Sequence, residues 1–170
     1  MNKIGVTEWY LPYSGPGAIR LCRKIGMDGI EIGDLGGHLR NYPLLNDAIK
    51  DGYREAMGDG CFQIYAYHAI SLSRELGFKY DLNSDRGKEG ARIFRTSVKI
   101  CKEYGIPVVM LACYQNGKPE NRYEVQRVIE NLKEYVRIAE DQGVRVTLEA
   151  FSDLETVRRI LEEAAGVTLC

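Results

Sequence analysis

One pattern recurs along the chain: a helical segment, then a glycine, then a short run rich in valine, isoleucine or aromatic residues. Glycine directly after a helix takes the left-handed conformation that ends the helix, and a strand that begins within a few residues marks the turn of a repeating β/α unit. Strands that alternate with helices in this way pair in parallel, because each helix returns the chain to the same edge direction. The sequence therefore predicts an α/β fold. The glycines of the pattern are Gly26, Gly60, Gly105, Gly143 and Gly166.

Apolar stripes predict the helices. A helix over 123–139 places its apolar residues on one face at three- and four-residue spacing, with Glu, Lys and Arg opposite. A helix over 86–104 has the same pattern, and another is predicted to begin at Ser152, whose spacing to Glu155 matches a capping box. Strands are expected at 3–7 and, as a stub, at 167–170. The predicted inward positions are Ala91, Phe94, Val98 and Cys101, then Val125, Val128, Ile129, Leu132, Tyr135, Val136 and Ala139.

The strands favour a barrel over an open sheet covered on both faces. In the fifth strand, apolar residues alternate with Arg145, Thr147 and Glu149, whereas a strand covered by helices on both sides is apolar throughout. The second strand agrees, since Glu31 lies between two isoleucines, and no GxGxxG or Walker loop follows the first strand. We predict one domain over residues 1–170, built of parallel β/α units of TIM-barrel type, as a partial barrel of about five units plus a sixth-strand stub.

The composition of the chain argues against several classes of partner and binding site. The net charge of −1 comes from 23 basic and 24 acidic residues without long single-sign blocks, which argues against nucleic acid and anionic membranes as partners. The longest apolar run, 106–113, is too short to cross a bilayer, and the N-terminus has no signal core, so we expect a cytoplasmic protein. Five cysteines without a CxxC pair argue against a disulfide framework and a thiolate zinc site.

The carboxyl ends of the predicted strands carry the candidate site, because active sites of parallel β/α folds gather there. Carboxylates and imidazole can hydrogen-bond to hydroxyls, and aromatic rings offer flat faces to the C–H surface of a sugar. These positions therefore indicate a polyhydroxylated ligand. They are Thr7, Glu8, Trp9 and Tyr10, with Tyr13 in the same loop, then Glu31 and Asp34, His68, 113–115 and Glu149.

Three motifs resemble the sugar phosphate isomerase/epimerase family of xylose isomerase-like TIM barrels, which also includes the endonuclease IV branch. They are "GIEIG" in strand two, "IYAYHA" at the end of strand three and "VRVTLEAF" in strand five. The resemblance implies that Glu149 binds a divalent metal (Mn, Mg, Co or Zn) and acts as acid and base on the substrate carbon. It also implies that His68 faces the substrate or a metal, and it matches Glu155 to a second glutamate of some ketose epimerases.

The sequence departs from the family in its length. The family completes its metal site with residues of strands six, seven and eight, which would follow Cys170, and such a barrel needs about 250 residues. We therefore expect a barrel cut after its fifth unit. The implied function is a metal-dependent isomerase or epimerase acting on a sugar or sugar phosphate, and the chain is expected to form a homodimer or larger assembly. The alternatives are a non-catalytic half-barrel that self-associates or binds a ligand and, more weakly, an endonuclease IV-like hydrolase.

Each candidate residue also has a structural interpretation. Glu149 could pair with Arg145, Glu31 could bond to loop backbone, and the capping box could account for Glu155. Trp9, Tyr10 and Tyr13 could pack within their loop, and His38 could be solvated. The strand alternation leaves open whether His68 faces the barrel interior, because Gln63, Tyr65 and Tyr67 could face it instead.

Overall fold

The computed structural model describes residues 3–34, 42–58, 60, 62–73, 78–150 and 152–170. His38 and Cys61 lie outside these ranges. Short 3₁₀ helices cover Glu8–Tyr10, Pro43–Leu45 and Gln115–Gly117. The strands are β1 (Gly5–Thr7), β2 (Gly29–Gly33), β3 (Gln63–His68), β4 (Val108–Cys113), β5 (Arg145–Ala150) and β6 (Val167–Leu169). The helices are α1 (Pro16–Lys24), α2 (Asp47–Met57), α3 (Asp85–Tyr104), α4 (Arg122–Glu140) and α5 (Leu154–Glu163).

All six strands form one parallel sheet in the order β1-β2-β3-β4-β5-β6. Each strand lies beside the next in sequence, as in a β/α barrel, whereas a doubly wound sheet reverses its order at a switch point. Within the described residues β1 and β6 are the two edges and do not pair with each other. The predicted fold class, a partial barrel of β/α units, is confirmed.

The core lies between the helices and one face of the sheet. All the inward positions predicted for α3 and α4 are buried there. The Phe94 ring stacks on the Tyr135 ring with centroids 4.2 Å apart and planes 9° from parallel, which joins the two helices. The 3.6-residue period of the apolar side chains therefore identifies the sheet-facing side of each helix correctly.

The ends of the helices follow the glycine pattern, with two corrections. The first is that Gly58, and not Gly60, is the C-cap of α2. All five predicted glycines have positive φ, and Gly105 (φ 64°, ψ 28°) ends α3 with its N–H donating to the carbonyl oxygens of Cys101 and Lys102. The capping box predicted at Ser152 is wrong. Asp153 is the N-cap of α5, because its carboxylate accepts a hydrogen bond from the Thr156 N–H at 2.9 Å.

The structure also shows the state of the cysteines and the character of the helices. Cys22, Cys101, Cys113 and Cys170 are free thiols, the first three of them buried. No helix in the described part of the chain combines the length and the hydrophobicity that crossing a membrane requires.

Candidate active site

The candidate site lies on the face of the sheet opposite the helices, here called the inner face. Residues paired across parallel strands point to the same side of the sheet, so the register shows which side chains share this face. The pairs are Thr7 with Glu31, His68 with Met110, Ala112 with Glu149, and Thr147 with Thr168.

A register shift in β3 determines which residues of that strand face inward. Ile30 pairs with Ile64, but the next residue, Glu31, pairs with Ala66, so Tyr65 is an extra residue in β3. The shift leaves Tyr67 among the helices, where it is 1% exposed, and brings His68 onto the same face as Glu31. Of the residues whose orientation the alternation left open, His68 therefore faces inward together with Gln63 and Tyr65, and Tyr67 does not.

His68 and Glu31 form the centre of the site. His68 Nδ1 lies 3.7 Å from Glu31 Oε1, and the two side chains are 2% and 21% exposed. The Trp9 ring approaches the imidazole with centroids 5.4 Å apart at 60°, and the Tyr114 ring meets it edge-on at 6.3 Å. Tyr114 belongs to the predicted segment 113–115 but not to the predicted binding residues. Its position directly after β4 is the signal that could have identified it.

The charge of Glu149 acts on Glu31. Burial is the main cause that raises the pKa of Glu31 from 4.5 to about 7, and the negative charge of Glu149 raises it further, while a hydrogen bond with Thr7 lowers it. Within the described part of the chain, Glu31 Oε1 is buried and has no hydrogen-bond partner. The inner face therefore holds two carboxyl groups, one of which keeps its proton to near-neutral pH.

Glu149 is partly buried near the carboxyl end of β5, as predicted. The alternative in which Arg145 neutralises it does not hold. Arg145 is exposed at the other end of the strand, about 13 Å away along four residues of extended chain, and among the described residues no ion pair joins the two.

Glu8 and Asp34 are buried carboxylates that accept hydrogen bonds from backbone N–H groups. Glu8 is 2% exposed and accepts hydrogen bonds from the N–H groups of Gly15 and Gly33, the second at 3.4 Å. Burial raises the pKa of Glu8, and these two hydrogen bonds lower it. Asp34 Oδ2 accepts a hydrogen bond from the Ser71 N–H at 2.9 Å. Both residues belong to the predicted rim, and the structure gives them the role of fixing the loops around the site.

The other predicted binding residues lie further from His68 or are more exposed. Trp9 is 44% exposed, Tyr10 79% and Tyr13 60%, so Trp9 alone of the three is half-buried against the imidazole. Glu155 is exposed in the first turn of α5. The structure therefore brings Glu31, His68, Trp9 and Glu149 to one end of the inner face and leaves Tyr10 and Glu155 at its margin.

An unpredicted thiol occupies the inner face beyond Glu149. Cys170 Sγ lies 3.5 Å from Met110 Sδ. Burial is the main cause that raises the pKa of Cys170; a hydrogen bond with Thr147 lowers it, and the charges of Glu149 and Glu31 raise it. A cysteine that follows a short strand carries no signal in the sequence, so only the fold shows that it points toward the carboxylates.

The donor set does not by itself fit a divalent metal. Among the residues that the structure describes, no group of three or more His, Cys, Asp or Glu side chains is placed to hold a metal ion. Glu31, which lies 3.7 Å from His68, favours a proton because of its burial and of the Glu149 charge. Glu149 could supply one ligand, and a complete site needs donors beyond this group.

Comparison with known proteins places these features in context. The sequence model of the family described as xylose isomerase-like TIM barrel matches residues 19–170. The 2-epi-5-epi-valiolone 7-phosphate 2-epimerase of Actinoplanes sp. is 26% identical over 164 residues, which cover 96% of this chain and 58% of the relative. The chain therefore spans less than two thirds of this curated relative.

Solved structures share the fold. D-psicose 3-epimerase in the presence of D-fructose superposes with a TM-score of 0.77 at 15% identity, over 99% of this chain and 62% of that one. The IOLI protein with a bound zinc atom superposes with a TM-score of 0.76 at 22% identity, again over 99% and 62% of the two chains. At these identities the superpositions establish the β/α architecture.

Proposed function

We propose a function from the premise that this chain belongs to the xylose isomerase-like TIM barrel family. The proposed function is that of an isomerase or epimerase that moves a proton between the carbons of a sugar or sugar phosphate. The Actinoplanes relative is a 2-epimerase of a 7-phosphate and D-psicose 3-epimerase is a ketose epimerase, which supports this substrate class.

The observation that carries the proposal is that Glu31, whose pKa is raised to about 7, shares the inner face with Glu149. Epimerisation next to a carbonyl needs a base that takes a proton from carbon and an acid that donates to the developing oxyanion. A carboxyl whose surroundings raise its pKa can serve as the acid. The pKa of Glu31 is raised to about 7, so Glu31 can hold a proton at neutral pH beside Glu149.

In the proposed reaction Glu149 is the catalytic base. Its carboxylate takes the proton from the carbon beside the substrate carbonyl, and the electron pair moves to the carbonyl oxygen, giving an enolate. Glu31 and His68 donate hydrogen bonds to that oxygen as its charge develops. For isomerisation, Glu149 returns its proton to the former carbonyl carbon while the proton of the neighbouring hydroxyl moves to the enolate oxygen, so that the carbonyl changes place. For epimerisation, a second acid such as a water molecule delivers a proton to the opposite face of the original carbon, and Glu149 releases its own proton to solvent.

Other site residues keep predicted roles. Trp9, whose ring lies beside His68, is proposed to pack against the C–H face of the sugar, with Tyr10 at the entrance. Glu155 stays a predicted substrate contact that no described contact supports. Glu149 stays the predicted ligand of a divalent metal, as the zinc bound by the IOLI protein suggests for the fold, and no step of the reaction above depends on that metal.

Exchange of substrate protons with solvent tests the proposal. The 170-residue protein is incubated in deuterated water with a panel of ketoses and ketose phosphates, with and without Mn²⁺, and loss of the proton signals next to the carbonyl is followed by NMR. We expect exchange that Glu149→Gln abolishes and Glu162→Gln preserves. Glu162 is an exposed glutamate on α5, so the control makes the same chemical change away from the inner face. Equal exchange in both variants, or none with any substrate, contradicts the proposal.

The open sheet favours a second candidate, a non-catalytic half-barrel that self-associates. Within the described residues β1 and β6 are the edges of the sheet, and an edge strand can pair with a further strand. Analytical ultracentrifugation tests this candidate, which requires a dimer or larger species and no uptake of Mn²⁺, Co²⁺ or Zn²⁺ after treatment with EDTA. A monomer that takes up metal argues against it. In the described part of the chain no contact favours the endonuclease IV-like alternative.

A further inference from the structure

A groove between α3 and α4 lies outside the candidate active site. Its volume is about 280 Å³, and its buried floor includes Val98. It lies toward the C-terminal ends of both helices, which lead into the amino ends of β4 and β5, whereas His68 and Glu149 lie near the carboxyl ends of their strands. The groove is therefore on the outer surface, away from the proposed chemistry. Its lining is Arg95, Val98, Lys99, Lys102, Ile138, Asp141 and Gln142.

Three cations line this groove against one carboxylate. Arg95, Lys99 and Lys102 follow one another at spacings of four and three residues, so they lie along one side of α3. Within the described residues none of the three forms an ion pair with a carboxylate. Arginines on the neighbouring surface are paired, Arg92 with Glu89 at 2.6 Å and Arg137 with Glu134 at 2.8 Å.

The nearby carboxylates are already bound to other cations. The hydrogen bond with Arg137 is the main cause that lowers the pKa of Glu134, and the charge of Arg95 lowers it further. The hydrogen bond with Lys50 is the main cause that lowers the pKa of Glu103, and the charges of Lys50, Arg54 and Lys99 lower it further. These carboxylates are therefore shared with other cations and compensate the positive charge of the groove only in part.

Stabilisation of the C-terminal end of α3 explains the position of only one of the three cations. Lys102 lies in the last turn of α3, where a cation stabilises the helix dipole, and its Nζ donates a hydrogen bond to Gln142 Oε1 at 2.7 Å. Arg95 and Lys99 lie above that turn. We propose that this groove is a binding site for a small multivalent phosphate anion, held by Arg95, Lys99 and Lys102 above an apolar floor.

The chemistry of the lining matches such a ligand. Phosphate oxygens accept charge-assisted hydrogen bonds from guanidinium and ammonium groups, and Arg can bind two oxygens at once. Val98 and Ile138 offer apolar contact to the carbon part of an organic phosphate. The negative charge of Asp141 repels an anion in the groove, so we expect Asp141→Asn to tighten binding of the anion.

The test uses two probes, inorganic pyrophosphate and fructose 1,6-bisphosphate, each titrated at low salt and followed by amide NMR. We expect saturable shifts confined to the C-terminal halves of α3 and α4. Tighter binding of the bisphosphate identifies an organic phosphate as the ligand, and tighter binding of pyrophosphate identifies the free anion. Each of Arg95→Gln and Lys99→Gln should weaken binding about tenfold, since a hydrogen bond to a charged group is lost.

Lys88→Gln is the matched control, because Lys88 is exposed on the same helix outside the groove. It should leave the affinity unchanged, and thermal melts of all variants check that they fold. The proposal is overturned if neither probe gives saturable shifts, if the shifts map to the inner face around Glu149, or if Lys88→Gln weakens binding as much as Lys99→Gln.

Discussion

Substitution of Glu31 by glutamine should make the protein more stable, and by an amount that grows with pH. Glu31 is 21% exposed, and its pKa rises from 4.5 to about 7 through burial and the charge of Glu149. Ionised Glu31 is therefore less favourable in the folded chain than in the unfolded one. Glutamine is uncharged, has nearly the same shape and can keep the hydrogen bond with Thr7.

The sign and size of the effect follow from linkage. Between pH 4.5 and about 7 the folded protein holds a proton on Glu31 that the unfolded chain has lost, so stability falls as pH rises through this window. With those two pKa values, ionisation of Glu31 costs the folded state about 1 kcal/mol near pH 5 and about 3 kcal/mol near pH 8. Glu31→Gln should remove this cost.

Urea denaturation of wild type and Glu31→Gln at several pH values measures the difference. We expect the free energy of unfolding of the variant to exceed that of wild type by about 2 kcal/mol more near pH 8 than near pH 5. Glu149→Gln is the companion variant: it should lower the pKa of Glu31, seen by NMR titration of the carboxyl carbon, and remove part of the pH dependence. A difference between wild type and Glu31→Gln that does not change with pH would refute the reasoning.

Three further predictions concern stability and are measured by the same denaturation. Asn131→Ala should lower the free energy of unfolding by about 2 kcal/mol, because the buried amide donates hydrogen bonds to two loop carbonyl oxygens at 2.6 and 2.8 Å and both would lose their partner. Unchanged stability would mean that these carbonyls find other donors. Asp153→Ala should cost about 1 kcal/mol, whereas Ser152→Ala should cost almost nothing, and the reverse order would restore the capping box at Ser152. Gly29→Ala should cost about 3 kcal/mol, because a Cβ there overlaps the Gln63 carbonyl oxygen; a stable variant would mean that β3 can move away.

Most of the fold could be predicted because it depends on local signals. The glycines at the helix ends, exemplified by Gly105, and the apolar stripe of α4 each report the conformation of a few adjacent residues. Alternation in β5 predicted an inner face with Glu149 on it, and the register agrees. The cap of α5 was predicted one residue too early, because Ser152 and Asp153 are both good N-caps and side-chain geometry chooses between them.

The candidate site was less predictable, because the orientation and the contacts of its side chains depend on how separate strands and loops come together. Alternation alone could not orient His68, since the extra residue Tyr65 appears only when β2 and β3 are paired. In the sequence, Glu8 is only a carboxylate that follows a predicted strand. In the fold it is buried and accepts hydrogen bonds from the N–H groups of Gly15 and Gly33. Arg145 was offered as a partner of Glu149, but the length of an extended strand separates them.

The sequence by itself therefore determined the parallel β/α architecture and the face of each regular element that carries polar groups, because periodicity and chain breakers act over a few residues. Tertiary structure alone decided the proton affinity of Glu31 and its contact with His68. It also decided which of the surface cations, among them Arg95 and Lys99, lack an acidic partner in the described chain. Electrostatic energies depend on distance and burial in space, and residues far apart in sequence acquire both only when the sheet and its helices assemble.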